Sequence, residues 1–86
     1  MNPRTRSWRC QPHVFERAMR TLAERVVVID DGASGVLRPM VPGPEGTGSF
    51  TYDGSVLTLT LSFQDPLASQ IWRLLDDLCG PPVGLG

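Results

Sequence analysis

Between Ser49 and Phe63 apolar positions alternate with hydroxyl-bearing ones on both sides of the dipeptide Asp53-Gly54. Alternation of period two marks a strand with one buried face, and Asp-Gly between two such runs predicts a β-hairpin closed by a two-residue type I′ turn. That turn sets Tyr52 opposite Ser55, Phe50 opposite Leu57 and Gly48 opposite Leu59. Phe50, Tyr52, Leu57, Leu59, Leu61 and Phe63 then share one face, and Ser49, Thr51, Val56, Thr58, Thr60 and Ser62 share the other. A sheet buried on one side and wettable on the other is expected to be antiparallel.

The period changes elsewhere in the chain. Pro12 suits a first helical turn, and Phe15, Met19, Leu22 and Val26 follow at spacings of four, three and four, which predicts a helix. The β-branched run Val26 to Ile29 ends that helix and begins a strand. Asp30 to Gly35 is dense in turn formers, and Val36 to Val41 predicts the returning strand, with Pro39 pointing to a sheet edge. Pro42 to Gly48 has loop composition. A final helix starts with Asp65 as cap and Pro66 at its first position, carries the stripe Leu67, Ile71, Leu74, Leu75 and Leu78, and stops at Gly80-Pro81-Pro82. Residues 1–9 alternate Arg4, Arg6 and Trp8 with Thr5 and Ser7, which fits either a short strand or a mobile arm.

These elements predict a two-layer α+β fold: an antiparallel sheet of four to five strands with both helices on one face, in the order (β)αββββα. Residues 1–86 are expected to form one small domain, with 1–11 an arm or strand and 81–86 a flexible tail. The order is similar to helix-grip and half TATA-binding-protein folds. The stretch from Gly48 to Leu78 also looks like the sheet and final helix of small bacterial polyhydroxyalkanoate-system proteins. Neither resemblance carries over a functional residue or an activity.

Charge changes the picture more than composition does. The formal net charge is −1, yet up to Arg25 six arginines face only Glu16 and Glu24, while beyond it Arg38 and Arg73 face seven acidic residues. Such halves attract one another within a domain or between subunits, or leave a basic arm for nucleic acid. No apolar run reaches the ~18 residues of a membrane span and no apolar signal core opens the chain, so a cytoplasmic protein without membrane contact is expected. Cys10 and Cys79 are too few for a secreted disulfide framework, and free thiols are the expectation.

The chemical motifs are fragmentary. Gly43 to Ser49 has the glycines of a phosphate-binding loop, lacks its lysine, and leads into a strand instead of a helix. Cys10-x-x-His13 has the spacing of half a zinc site, which Cys79 and Asp76 would complete if the helix ends met; the same meeting would permit a Cys10–Cys79 disulfide. His13 is the only histidine, and neither it nor Ser34 has the partners of a nucleophilic site. Asp30-Asp31 belongs to a turn. Asp76 and Asp77, in the last turn of a helix, oppose its macrodipole and need a compensating charge, from Arg73 or from the Arg-rich N-terminal third.

No catalytic residue, cofactor site or metal site is expected from this set. The expected function is a non-catalytic protein-interaction or regulatory module, self-associating edge to edge or through the open sheet face that carries Thr58 and Thr60. Asp76, Asp77 and Trp72, the last beside the stripe of the final helix, are further candidate contacts. Two alternatives accompany it. In one, Arg4, Arg6 and Arg9 bind nucleic-acid phosphates while Trp8 stacks on a base, against the sequence pI of about 5.6. In the other, a pocket between sheet and helices carries a small apolar ligand.

Overall fold

The computed structural model describes residues 4–40, 46–63 and 66–83. Seven elements follow one another: β1 (Arg4–Arg9), α1 (Pro12–Leu22), β2 (Val26–Asp30), β3 (Ser34–Pro39), β4 (Gly48–Tyr52), β5 (Val56–Leu61) and α2 (Leu67–Cys79). The strands form one five-stranded sheet in the order β1-β5-β4-β3-β2, antiparallel throughout. Both helices cover the same face, with α1 against β2 and α2 against β1. This is the α+β architecture that the periodicity implies.

The core follows from the period-two pattern. Phe50, Leu57, Leu59, Leu61 and Phe63 are buried with Leu37 and Val26, and the helices close over them with Ala18, Leu22, Ile71, Trp72 and Leu75. Phe15 of α1 stacks on Tyr52 with ring centroids 4.1 Å apart and an interplanar angle of 8°. Gly35 lies on the same face. A Cβ there would stand 2.5 Å from Cε1 of Phe50 and 2.6 Å from the carbonyl oxygen of Ile29, so the Phe50 ring occupies the space that a side chain would take.

Several expectations are corrected. The hairpin register is Tyr52 opposite Leu57, Phe50 opposite Leu59 and Gly48 opposite Leu61. The turn is not type I′: Gly54 alone takes a positive φ, 97°, and Asp53 does not. The Asp53 carboxylate instead accepts the N–H groups of Ser55 and Val56, at 2.9 and 2.7 Å, and the Asp53 N–H donates to the carbonyl of Val56 at 3.3 Å, so the turn moves to Gly54 and Ser55. Because the slip is two residues, every side chain keeps its predicted face. Second, β3 is an interior strand, so Pro39 does not mark an edge. It is the last residue of β3, beyond Leu37↔Gly48, the final pair with β4. Third, α1 ends at Leu22, and Val26 joins the core as the first residue of β2.

Fourth, the C-terminal segment is not wholly a free tail. The N–H of Val83 donates to the carbonyl of Ser7 at 2.7 Å and bridges the outer edge of β1. The N-terminal alternatives resolve to a strand, since β1 pairs with β5 along its whole length, from Arg4↔Leu61 to Arg9↔Val56. Pro66 is the N-cap of α2 rather than its first residue. The capping role given to Asp65 lies outside the described residues, as do Val41 of the expected second strand and residues 42–45 of the expected loop from Pro42 to Gly48.

Candidate interaction surfaces

Three of the residues singled out from sequence meet on one carboxylate and its neighbours. In β1, alternation places Arg4, Arg6 and Trp8 on the helix-covered face and Thr5, Ser7 and Arg9 on the open face. Trp8 has no exposed surface. Its indole Nε1–H donates to Oδ1 of Asp76 at 2.8 Å, and Nη1 of Arg6 lies 3.6 Å from Oδ2 of the same residue. The Trp8 and Trp72 rings sit 5.8 Å apart, tilted by 37°, and the Arg6 guanidinium lies 5.0 Å from the Trp72 ring centroid.

An acidic residue in the last turn of α2 is thereby compensated by a donor and a cation from β1, as the macrodipole argument requires. The partner is Arg6 rather than Arg73, which is exposed, as is Asp77. The same geometry overturns one sequence expectation. A buried indole cannot stack on an incoming base, and the arginines do not form one strip, because Arg9 faces away from Arg4 and Arg6.

The open face of the sheet divides into two halves. Across β1 and β5 it is a hydroxyl ladder: Ser7 Oγ lies 2.9 Å from Thr58 Oγ1, and Thr5 Oγ1 lies 3.0 Å from Thr60 Oγ1. Across β3 and β2 it turns apolar. Val27, Ile29 and Val36 are 42%, 50% and 40% exposed, and Ile29 lies directly across from Val36. Sequence reasoning found the β-branched run but not this exposure, because the run reads equally well as a strand buried on both faces.

The apolar half ends at the outer edge of β2, where no other described strand pairs. The N–H of Asp31 donates to the carbonyl of Ser34 at 2.7 Å. In an antiparallel ladder the hydrogen-bonded pairs alternate, so Ile29↔Val36 and Val27↔Arg38 are also bonded pairs, directed inward to β3. The main-chain groups of Val26, Val28 and Asp30 therefore point outward, away from the sheet. Arg25 and Asp31 flank this edge with opposite charges, and both are exposed.

The residues proposed for chemistry converge only in part. Cys10 and Cys79 line one depression, while His13 is exposed and Asp76 is committed to Trp8 and Arg6. Among the described residues no three histidine, cysteine or acidic side chains are arranged to hold a metal ion. An open depression of about 430 Å³ lies beside the thiols, lined by residues that include Arg9, Gln11, Gly54 and Leu78. Pro12 and Val14 of α1, Ser55 of the turn between β4 and β5, and Cys79 of α2 complete its lining.

These features define a small α+β domain with a five-stranded antiparallel sheet, helices on one face and, among the described residues, no element over the other face or along the outer edge of β2. Among the described residues no helix is long and apolar enough to cross a membrane. No protein-family model, curated protein or solved structure matches the chain. The resemblances named from the element order thus rest on that order alone.

Proposed function

We propose that this protein is a non-catalytic, cytosolic interaction module that associates with a second copy of itself through β2. The observation that carries the reading is the outer edge of β2, a β-branched strand without lysine or proline whose outward main-chain groups have no described partner strand. Natural sheets usually blunt such an edge with charge, proline or a covering segment.

The edge is self-complementary. Pairing two antiparallel copies about Val28 sets Val28 against Val28 and Val26 against Asp30. Every outward N–H and C=O of the strand then finds a partner. The same register brings Val27 opposite Ile29 on the open face and Arg25 level with Asp31, so apolar meets apolar and cation meets anion. Val36, beside Ile29, extends the apolar strip. A two-fold arrangement needs this self-matching.

The test is light scattering over a concentration series, applied to the natural chain and to Ile29→Lys. Ile29 is half exposed, so lysine leaves the core intact and places like charges at the paired edges. The expected result is a dimer for the natural chain and a monomer for the variant. A natural chain that stays monomeric at millimolar concentration overturns the reading, as does a variant that dimerises undiminished.

A further inference from the structure

Cys10 and Cys79 stand at opposite ends of the described chain, yet the fold brings both to the wall of one depression. Each is held by main-chain structure. The N–H of Cys10 donates to the carbonyl of Ser55 at 2.9 Å, and its own carbonyl accepts the Tyr52 hydroxyl at 2.8 Å. Cys79 is the last residue of α2, whose final turn is closed by the Gly80 N–H on the carbonyl of Asp76 at 3.0 Å. Cys10 is buried, whereas Cys79 keeps exposed surface, and both line the open depression of about 430 Å³. Arg9 on its wall offers a cation to an anionic visitor.

We propose that this pair is a redox-conditional crosslink, converted to an intramolecular Cys10–Cys79 disulfide by a small anionic disulfide of the oxidised-glutathione type that enters the depression. The more exposed Cys79 reacts first. Its thiolate bonds to one sulfur of the small disulfide, whose S–S bond breaks and releases one thiolate. The Cys10 thiolate then attacks Sγ of Cys79, forms the protein disulfide and expels the second thiolate. The two protons lost by the protein end on the two released thiols, and the two electrons have reduced the small disulfide.

Burial, the adjacent Cys10 and the Asp76 carboxylate push the Cys79 thiol up to about 12, and burial raises Cys10. Thiolate is therefore scarce at neutral pH, so the exchange is slow and the pair rests reduced in a reducing compartment. Once formed, the crosslink ties the junction of β1 and α1 to the end of α2. It closes most of the chain into one loop and restricts the unfolded state.

The experiment incubates the natural protein with oxidised glutathione, quenches in acid, alkylates under denaturing conditions and reads the intact mass. The expected product has lost two hydrogens, retains no glutathione and takes up no alkylating agent. Its Tm rises by about 10 °C or more, and dithiothreitol reverses the rise. Cys10→Ser is expected to trap one glutathione on Cys79. A natural protein that stays glutathionylated, links to a second copy or still alkylates at both cysteines overturns the proposal; a Cys10→Ser protein that traps nothing overturns the order of attack. None of these masses depends on whether copies associate through β2.

Discussion

The indole of Trp8 donates a 2.8 Å hydrogen bond to Asp76, joining the N-terminal strand to the last turn of the C-terminal helix across nearly the whole length of the chain. Removing the acceptor leaves a buried N–H unsatisfied, which costs the desolvation of that group as well as the bond. Asp76→Ala is expected to lower stability by about 1–3 kcal/mol, and Asp76→Asn, which keeps an acceptor, by less. Asp77→Ala, one residue on and exposed, is expected to be neutral or stabilising by a few tenths of a kcal/mol, because it removes a negative charge from the helix C-terminus. Urea unfolding of the three variants measures the contrast.

Gly35 marks where the sheet admits no side chain. A methyl group there meets the Phe50 ring and the backbone of Ile29, and the latter cannot swing aside. Gly35→Ala is expected to cost about 1–3 kcal/mol. A double variant that also carries Phe50→Leu relieves the ring contact alone. Equilibrium unfolding should therefore show part of the Gly35→Ala penalty recovered in that background, with the backbone contact keeping the rest.

The Asp53 carboxylate accepts the Val56 and Ser55 N–H groups, and these bonds hold its pKa below the ordinary 3.8. A depressed folded pKa gives stability that is fully present above the unfolded value and lost as pH falls through the folded one. Acid should therefore loosen this turn below about pH 4. Asp53→Asn retains the acceptor oxygen without the titration, so its stability is expected to vary less across that range. Unfolding curves between pH 5 and pH 2 compare the two proteins.

The faces of the hairpin were legible in the sequence because side-chain alternation survives any even slip of register. The register itself was not, since it depends on which groups the Asp53 carboxylate satisfies, and no hydrophobic pattern records that. Local spacing also located both helices. What it left open was partnership between distant segments: whether residues 4–9 form a strand depends on β5, and whether Asp76 is compensated depends on Trp8 and Arg6. The run from Val26 to Ile29 announced a strand, but that no other described strand pairs with its outer side follows only from its terminal place in the sheet.

The alternation of bonded pairs along β2 gives a residue-level test of association. Amides of Val27 and Ile29, bonded inward to β3, are expected to resist hydrogen exchange at every protein concentration. Those of Val26, Val28 and Asp30 are expected to exchange quickly in dilute protein and to slow as concentration rises. Exchange followed by NMR at two concentrations separates the sets, and equal behaviour of odd and even positions counts against pairing through this strand.

The bridge from Val83 to Ser7 gives the sheet a polarity of growth. Cross-β polymers need two open edges on every unit, so that each newcomer offers a fresh template to the next. Here the β1 side is already occupied at Ser7 by the chain's own C-terminal segment, and a β2-to-β2 pair consumes the remaining edge of both copies. In the pair proposed above Val83 would act as a chain terminator, and its removal is expected to leave β1 open at Ser7 to a further strand.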